Sequence, residues 1–461
     1  MNPQALEAAE AEIEQGLAAI AYGGASVALV AGDHQRLSAW GEAHPGEPMS
    51  VATSMHICSC TKAFTAYLAA RVLDISGSIR PFIPEFDLGD AWLNDHCLFR
   101  DLAAMRVGLS RQGLPEWGVA ADMDVRERLS RVRHLPRSAP FRERFTYSNL
   151  CYVALGLAAS RSGDTSLAAL FESEVARPLG LKHSAFAAGS ANCLAASGYL
   201  PIGDVLTPVR ELTGPSSYGS AGIVLSAEDA AVWLKELCEA ARGSTRGKLD
   251  GAILREMMTP VTPLAAIDGV PALYPERHFY GYGLFVGDWL GRRLVRHGGG
   301  GRGLRTSMAL FPDEGLGVML TATCEAADIE ALALQALAAL TGEKVELVDA
   351  YRGFSARGAE ASRLSWARSR EPFEGGLSEG RFQNGATGFV CISQHGDEAR
   401  LAVEDAPMFD AILSPTDGQG FQCVFDEPAL SAQPFDPPFG LRVRADGALA
   451  TSYWGILERA H

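Results

Sequence analysis

Lysine is scarce in this sequence, and basic residues as a whole are outnumbered by acidic ones. Five lysines stand beside 35 arginines in the 461 residues, and these 40 basic residues face 55 aspartates and glutamates. The formal net charge is therefore −15 at pH 7. Proteins that bind nucleic acid or anionic membranes present a basic surface. We therefore expect neither a nucleic-acid nor a membrane partner.

Cysteine and histidine patterns of the metal-binding kind are also missing. The nine cysteines are an odd number and include no C-x-x-C pair, which excludes a complete disulfide framework and argues against a zinc ribbon or a thioredoxin-type centre. The ten histidines form no H-E-x-x-H motif, so a metal hydrolase is disfavoured. We expect small buried thiols in a reducing compartment and predict neither a metal nor a cofactor.

No segment has the features of a secretion signal or of a membrane span. The first residues are acidic and lack the basic stretch that opens a signal peptide. Residues 16–32 are apolar, but glycines interrupt them and they are only as long as the shortest span. A helix end followed by a buried strand fits this segment better. We expect a cytoplasmic protein.

Strand patterns occur near both ends of the first 341 residues, and a helix-rich stretch with many Pro and Gly breaks, 75–220, separates them. The strand patterns lie at 26–31, 35–43, 280–287, 292–297, 304–311 and 317–323, and the flanking helical patterns at 4–20 and 326–340. We therefore predict an α+β domain over 1–341, in which an antiparallel sheet is flanked by helices and carries an all-helical insertion.

The remainder of the chain has a different pattern. Residues 342–372 are rich in Arg, Ala and Glu and are predicted to form a connector. Short strand patterns without helical signals then follow at 389–393, 399–404, 420–425, 441–445 and 451–457. This spacing predicts a small antiparallel β-barrel or sandwich over 373–461.

One of the five lysines follows a serine by three positions. Ser59-Cys60-Thr61-Lys62 opens a predicted helix over 59–74. Residues i and i+3 of a helix share one face, so the Lys62 amine can reach the Ser59 hydroxyl. A serine at a helix N-terminus also lies near free N–H groups and the positive end of the helix dipole. Ser59 is thus a candidate nucleophile and Lys62 its proton acceptor, although so short a motif also arises by chance.

A second candidate group, Tyr147-Ser148-Asn149, directly precedes a helical pattern. In a purely structural interpretation, Ser148 or Asn149 caps this helix and Tyr147 packs in the core. In a functional interpretation, Tyr147 is a general acid or base and Asn149 holds the amide group of a substrate. The residues alone leave both interpretations open.

A third candidate group is His297-Gly298-Gly299-Gly300, which follows the strand pattern at 292–297. The structural interpretation is a flexible hairpin loop. In the functional interpretation, the missing side chains let a substrate lie against the strand edge, where the N–H of Gly300 points at its carbonyl oxygen. Together with the N–H of Ser59 this would form an oxyanion hole, in which each donor contributes about 3 kcal/mol.

Taken in this order, the S-x-x-K, Y-x-N and H-G-G motifs resemble those of the serine β-lactamase-like and penicillin-binding-protein family. They are most similar to the group that contains class C β-lactamases, DD-peptidases, related esterases and D-aminopeptidases. The resemblance implies the β-lactamase/DD-peptidase-like fold over roughly residues 15–340. It extends to HICSCTKAFT (56–65), LAAMRVGLS (102–110), YGYGLF (280–285) and FPDEGLGVML (311–320).

The resemblance implies a role for each motif residue. Ser59 would be the acylated nucleophile, and Lys62 and Tyr147 would share the proton transfers. Asn149 would hold the substrate amide. The N–H groups of Ser59 and Gly300 would bind the oxyanion.

The third motif departs from the common pattern of the family. Many members have Lys-Thr-Gly where this chain has His297-Gly298-Gly299. The fixed positive charge and the hydroxyl are lost, so the resemblance does not imply strong recognition of a substrate carboxylate. These three residues are still expected to line the substrate site. With the I-C-S-x-x-K context and the C-terminal β domain, this motif is closest to the D-aminopeptidases, although their pattern has two such domains.

Three functions are compatible with these observations. The first is an acyl-enzyme serine hydrolase of amide or peptide bonds in small D-configured substrates, similar to a D-aminopeptidase or D-amino-acid amidase. The second is a carboxylesterase or weak β-lactamase of the same fold, and the third is a non-catalytic relative, which the intact motifs disfavour. The expected partner is a small molecule or short peptide. The β domain either covers the cleft or mediates homo-oligomer formation.

Overall fold

The computed structural model describes residues 3–110, 123–186, 195–202, 205–209, 214–265, 275, 278–301, 303–324, 328–353, 377, 379–395, 398–406, 409–416, 420–426, 440–444 and 446–460. The helices are α1 (Pro3–Leu17), α2 (Thr61–Val72), α3 (Ala91–His96), α4 (Phe99–Ala103), α5 (Val125–Ser130), α6 (Asn149–Ser162), α7 (Leu167–Phe171), α8 (Arg177–Leu179), α9 (Ala227–Ala241), α10 (Gly251–Met257) and α11 (Asp328–Leu340). The strands before residue 341 are β1 (Gly24–Ala31), β2 (His34–His44), β3 (Glu47–Pro48), β4 (Met55–His56), β5 (Ala185–Phe186), β6 (Gly198–Ile202), β7 (Val205–Val209), β8 (Ile223–Leu225), β9 (Thr262–Pro263), β10 (Phe279–Tyr280), β11 (Phe285–Trp289), β12 (Arg292–Gly301), β13 (Leu304–Phe311) and β14 (Leu316–Ala322). The later strands are β15 (Gly380–Asn384), β16 (Gly388–His395), β17 (Glu398–Val403), β18 (Ala411–Thr416), β19 (Gly420–Phe425), β20 (Gly440–Val443), β21 (Leu449–Thr451) and β22 (Gly455–Arg459).

The main sheet joins both ends of the first domain. Its nine antiparallel strands have the order β3-β2-β1-β14-β13-β12-β11-β10-β9. Val27 of β1 pairs with Leu320 of β14, so distant parts of the chain meet at the centre of the sheet. Helices α1 and α11 cover one face, where Ile13 and Leu332 share a core with Val27. The predicted α+β class and the predicted antiparallel sheet are confirmed.

Helices of the insertion, together with α2 and α9, form a second core against the other face of the sheet. Helix α2 is apolar nearly all round and is almost wholly buried, as expected of a helix enclosed by other elements. Phe64 of α2 stacks on Trp233 of α9 with ring centroids 4.1 Å apart. The predicted all-helical insertion is wrong in two places, because β6 and β7 form a hairpin there and β5 pairs with β8. Tyr199 and Leu200 of β6 are buried, which stabilises this pair.

The region after residue 377 contains a closed barrel of eight antiparallel strands, β15 to β22 in sequence order. Phe382, Phe409 and Trp454 lie in its core, where the rings of Phe409 and Trp454 meet edge to face at 5.4 Å. Of the barrel and sandwich alternatives, the barrel is correct. The predicted strand over 451–457 is two strands, because a turn at 452–454 reverses the chain and closes the barrel.

The predicted boundary at 341 follows the end of α11, and residues 348–353 of the predicted connector are helical. Residues 342–347 of the connector are not helical, and residues 354–372 lie outside the described residues. Within the part of the chain that the structure describes, every helix is too short or too polar to cross a lipid bilayer.

Candidate active site

Ser59 lies on a tight turn at the entrance to the central helix. Residues Cys58–Cys60 form a 3₁₀ turn, and α2 begins directly after it at Thr61. The predicted helix thus starts two residues later as an α-helix, but Ser59 still lies one turn before Lys62. Cys58 has φ of +47°, a left-handed conformation that costs about 1–2 kcal/mol in a residue with a side chain. The surrounding core holds this turn, which leaves Ser59 half-buried at a cleft.

The Lys62 amine is fully buried and donates three hydrogen bonds. Its Nζ is 3.0 Å from Ser59 Oγ and 2.9 Å from Asn149 Oδ1. The third acceptor is the carbonyl oxygen of Ser220, at 2.8 Å. An ammonium group has three N–H donors, so the three acceptors match its full capacity. Burying a charge without such partners costs several kcal/mol, and these bonds offset that cost.

Tyr147 brings a phenol to the same hydroxyl. Its OH lies 2.8 Å from Ser59 Oγ, and the Lys62 nitrogen lies 4.9 Å from the centre of its ring. That distance allows a cation–π attraction between the amine and the ring. The phenol and the amine therefore approach one hydroxyl from two sides, and either can exchange a proton with it.

The capping interpretation of the second motif is not what the structure shows. Ser148 occupies the N-cap position of α6, but its side chain makes no capping hydrogen bond. Asn149 begins the helix, and its side-chain oxygen accepts a hydrogen bond from Lys62 instead.

The third motif is part of a strand rather than a loop. Residues 297–301 continue β12 and pair with β13, with Gly300 opposite Arg305. The pairing of β12 with β11 already ends at Arg296, opposite Phe285. Among the described residues, the other edge of 297–301 is therefore not covered by a strand and lies at the cleft. The hairpin-loop interpretation is wrong for these residues.

Gly299 lets this strand approach the turn Cys58–Cys60, which carries the candidate nucleophile Ser59 and is called the nucleophile turn below. A Cβ at this position would lie 2.5 Å from the carbonyl oxygen of Ile57 and 3.2 Å from the backbone nitrogen of Ser59. Backbone atoms occupy that space, so glycine is the residue that fits. The strand edge and the N–H of Ser59 thus face the same small volume.

His297 is buried at the base of the third motif. Its Nε2 is 3.3 Å from the Tyr280 hydroxyl, and its Nδ1 is 2.7 Å from the carbonyl oxygen of Gly298. Its own carbonyl oxygen accepts a hydrogen bond from the Cys60 thiol at 3.2 Å. The imidazole is therefore held among buried polar groups, in a position where it also lines the cleft.

The predicted strand over 280–287 is two strands, and the turn between them packs beside the site. A turn at 281–284 separates β10 from β11. Gly283 has φ of +76° there, and a Cβ at this position would lie 2.7 Å from the carbonyl oxygen of Lys62. The turn therefore packs directly on the start of α2, which a continuous strand would not do.

Residues of the three sequence motifs meet at a cleft of about 730 Å³. Every predicted site residue lines it except Lys62, which lies beneath the floor. Sequence reasoning missed several further lining residues: Phe145, Phe285, Arg305, Glu330 and Tyr351. Arg305 could have been found from its strand register opposite Gly300, whereas nothing in the local sequence marks Glu330 as a cleft residue.

Two of these additional residues bring charge into the cleft. The Glu330 carboxylate accepts a hydrogen bond from the buried Arg296 guanidinium at 3.0 Å. The Arg305 guanidinium lies over Gly300, where it would be 2.2 Å from an added Cβ. A cation is therefore present near the third motif, although it comes from a different strand than the lysine of the common pattern.

Cys60 lies beside Ser59, but its thiol does not compete with the Ser59 hydroxyl. Burial raises the pKa of the Cys60 thiol to about 12, despite the lowering effect of Lys62. Thiols react as thiolates, so this thiol is inert near neutral pH. Burial also raises the pKa values of the Tyr152 and Tyr280 phenols, which therefore remain neutral hydrogen-bonding groups next to the site.

The fold and the site together define a class of protein. A serine hydroxyl bonded to a buried amine and a phenol, beside a strand edge that borders the cleft, is an arrangement suited to acyl transfer. The chain belongs to the beta-lactamase family, whose Beta-lactamase model matches residues 9–341. It is a hydrolase of the serine β-lactamase fold, as the resemblance of the motifs implied.

Three relatives extend this comparison. The unguisins hydrolase ungD' of Aspergillus campestris (strain IBT 28561) is 25% identical over 320 residues, which are 65% of this chain but only 58% of that protein. The octameric penicillin-binding protein homologue from Pyrococcus abyssi has a TM-score of 0.64 at 19% identity, over 97% of this chain and 98% of its own. The structure of SurE with D-Leu has a TM-score of 0.58 at 18% identity and covers both chains fully, 100% of each. At these identities the two structures show a shared fold.

Proposed function

We propose that the protein hydrolyses amide or peptide bonds of small D-configured substrates through an acyl-enzyme on Ser59, as D-aminopeptidases and D-amino-acid amidases do. The observation that carries this proposal is the hydrogen-bonded group of Ser59, Lys62 and Tyr147 at the floor of the cleft. Such a group can activate a serine only where a substrate carbonyl can reach it, and Ser59 and Tyr147 both line the cavity.

In the first half of the reaction, Ser59 Oγ attacks the carbonyl carbon while its proton passes to whichever of the two partners, Lys62 as a neutral amine or Tyr147 as a phenolate, has first given up its own proton. The carbonyl oxygen becomes an oxyanion, which the N–H groups of Ser59 and Gly300 stabilise. Tyr147 then donates a proton to the leaving nitrogen, the carbon–nitrogen bond breaks and an amine departs. In the second half, water replaces the amine, gives up a proton by the same route and releases the acid.

Asn149 supports substrate placement in this scheme. Because its side-chain oxygen accepts from Lys62 at 2.9 Å, its amide NH₂ is directed away from the amine. An NH₂ group in this position can donate to a substrate carbonyl. The bond to Lys62 thus ties the orientation of a substrate held by the Asn149 amide to the orientation of the amine.

The D-configured, free-amine substrate class has separate support. The cleft presents the Glu330 carboxylate, and a carboxylate can accept about four hydrogen bonds, so its bond to Arg296 is compatible with a further ammonium donor. One relative is named a hydrolase of unguisins, and the SurE structure contains D-Leu. Both descriptions belong to those proteins, and they agree with peptide or amino-acid substrates here.

A second candidate rests on Arg305. Its guanidinium lies beside Gly300 and can bind a carboxylate in a bidentate manner. That contact would favour substrates with a carboxylate near the scissile carbonyl, as a weak β-lactamase requires. Simple esters carry neither an ammonium nor a carboxylate group. The activity of a carboxylesterase would therefore not depend on Glu330 or Arg305.

The test starts with intact-mass spectrometry after exposure to a fluorophosphonate. We expect one adduct on the natural chain and on a Ser50→Ala control, whose serine lies outside the cleft, and none on Ser59→Ala. Rates on D- and L-amino-acid p-nitroanilides, p-nitrophenyl acetate and nitrocefin then separate the candidates. A D-anilide rate far above the rest supports the first proposal, nitrocefin turnover the second, and ester-only turnover an esterase. An adduct on Ser59→Ala would contradict all three.

We also propose a cytoplasmic protein that self-associates, a state supported by the octameric relative from Pyrococcus abyssi. Light scattering coupled to size-exclusion chromatography measures the mass directly. We expect a multiple of the 49.0 kDa chain mass, and a monomer at micromolar concentration would contradict self-association.

A further inference from the structure

Arg128 is a fully buried arginine that the reaction described above does not use. It lies on α5, in the insertion, and is not among the residues that line the cleft. Its Nη1 donates to the carbonyl oxygen of Ser216 at 2.7 Å and to Ser217 Oγ at 3.0 Å. Removing a buried guanidinium from water costs several kcal/mol, so these bonds are needed to keep it there. They fix the segment that contains Ser216 and Ser217.

Hydrogen bonds connect that segment to the Lys62 amine. The carbonyl oxygen of Ser217 accepts from the Ser220 hydroxyl at 2.9 Å and from the backbone nitrogens of Ser220 and Ala221 at 3.2 and 3.1 Å. These bonds close the turn and set the direction of the Ser220 carbonyl. That carbonyl is the backbone acceptor of Lys62 Nζ, at 2.8 Å. A short chain of hydrogen bonds therefore links Arg128 to Lys62.

The Ser220 carbonyl matters because it holds the amine without taking part in the reaction. The two other acceptors, Ser59 and Asn149, are side chains that line the cleft, and in the proposed reaction both contact the substrate. The Ser220 carbonyl is part of the backbone and keeps its place throughout. If the turn moves, the amine moves with it, and a misplacement of about 1 Å at a reacting group costs about 100-fold in rate.

The C-terminal barrel contacts the residues that directly follow α5. Arg131, one turn after Arg128, donates to Asp405 Oδ2 at 2.7 Å and to the carbonyl oxygen of Thr387 at 3.3 Å, both in the barrel. Gly385 lies so close to His134 that an added Cβ would be 2.3 Å from the imidazole ring. The turn between β15 and β16 is therefore seated on the 3₁₀ turn Arg131–His134, which continues α5.

We propose that Arg128 is a positioning residue for the Lys62 amine, and that the C-terminal barrel, through Arg131 and Asp405, holds the helix that carries it. This inference rests on the proposed function of Lys62. It gives the barrel a role in acyl transfer that needs no contact between the barrel and the substrate.

The main test compares Arg128→Met with Arg128→Lys in the full-length chain, on whichever substrate of the panel is turned over fastest. The number of working sites is counted by end-point fluorophosphonate labelling, so that loss of folded protein is removed from kcat. We expect kcat per labelled site to fall by about 10- to 100-fold in Arg128→Met, with KM within about twofold. Arg128→Lys can still donate to Ser216 and should recover part of the loss.

Arg161→Met is the matched control. Arg161 donates to the carbonyl oxygen of Phe82 and forms an ion pair with Glu85, far along α6 from Asn149. Its loss should lower the melting temperature but leave kcat per labelled site unchanged. If Arg128→Met does not fold, Ser217→Ala removes one of the two Arg128 bonds and should lower kcat in the same direction by a smaller factor. A kcat per labelled site within twofold of the natural chain, in whichever of these two variants folds, would overturn the proposal.

The barrel's part is tested by Arg131→Gln, Asp405→Asn and the double variant. Each should lower kcat per labelled site by about three- to tenfold, and the double variant should be no worse than Arg131→Gln alone, because the Arg131–Asp405 contact is already lost in that variant. Unchanged kcat in all three would overturn the role of the barrel. Failure of the proposed function appears differently, as turnover or labelling in Ser59→Ala, whereas failure of this inference leaves Ser59 labelled and active.

Discussion

Consecutive glycines of the third motif offer a graded test of the strand edge. A Cβ at 299 would meet the Ile57 carbonyl oxygen at 2.5 Å, whereas a Cβ at 298 would find only the Thr306 carbonyl oxygen, at 3.8 Å. Ordinary contacts begin near 3.5 Å, so Gly299→Ala must push the strand and the nucleophile turn apart by roughly 1 Å. Gly298→Ala adds the same methyl group with no such displacement. Comparing the two variants therefore separates the effect of displacing the strand from the effect of adding a methyl group.

The magnitude follows from that displacement. A shift of about 1 Å between an oxyanion donor and the nucleophile costs about 100-fold in rate, which corresponds to about 2.7 kcal/mol in activation free energy. We expect Gly299→Ala to lower the second-order rate of fluorophosphonate acylation by about that factor and Gly298→Ala to lower it by less than threefold. Circular dichroism and melting temperature report whether each variant is folded. Equal acylation rates in two folded variants would refute the assignment of this edge to the oxyanion site.

Three further predictions concern the Tyr147 phenol, the Glu330 carboxylate and a set of three buried thiols. Tyr147→Phe removes the phenol bonded to Ser59 and should lower kcat by about 10²- to 10⁴-fold on p-nitroanilides; a smaller effect would remove Tyr147 from the proton path. Glu330→Gln should raise KM for D-amino-acid amides with a free amine but not for their N-acetylated forms, and equal effects on both would contradict an ammonium contact. Burial raises the pKa values of Cys60, Cys238 and Cys423 to about 12, above the range of an unfolded thiol, so the unfolded state ionises first and the free energy of unfolding should fall as pH rises above about 9. Urea titrations at pH 7, 9 and 10.5 measure that fall, and replacing all three by Ala should reduce it; an undiminished slope would contradict the assignment to these thiols.

The sequence predicts the central elements of the fold because their patterns are strong. The strands around Val27 and Leu320 are continuous apolar runs, and a central sheet buried on both faces requires such runs. The barrel strands are less distinct, since β15 contributes a single buried apolar side chain, Phe382, and β18 contains a proline. Periodicity therefore found five strands where the structure has eight.

Within the site, spacing along the chain predicts contacts only where one element carries both residues. Ser59 and Lys62 are one turn apart, so their contact could be inferred from the sequence. The approach of Tyr147 and Asn149 to them was expected only through the resemblance to a family. Glu330 and Arg305 line the cleft because the starts of α11 and β13 lie beside it in the folded domain, and no local sequence pattern predicts that placement.

The burial of Lys62 connects the stability of the domain to its chemistry. A fully buried amine on an apolar helix is unfavourable by itself, and it is tolerated because three separate segments, at residues 59, 149 and 220, each supply an acceptor. Those segments belong to the nucleophile turn, the start of α6 and the turn that Arg128 holds. Any displacement among them leaves a buried N–H without its acceptor, which costs about 1–3 kcal/mol, and moves the proton acceptor at the same time. If Lys62 has the proposed role, correct packing of the insertion against the sheet is a condition for activity, and we then expect residues as remote from the cleft as Arg131 and Asp405 to affect the reaction rate.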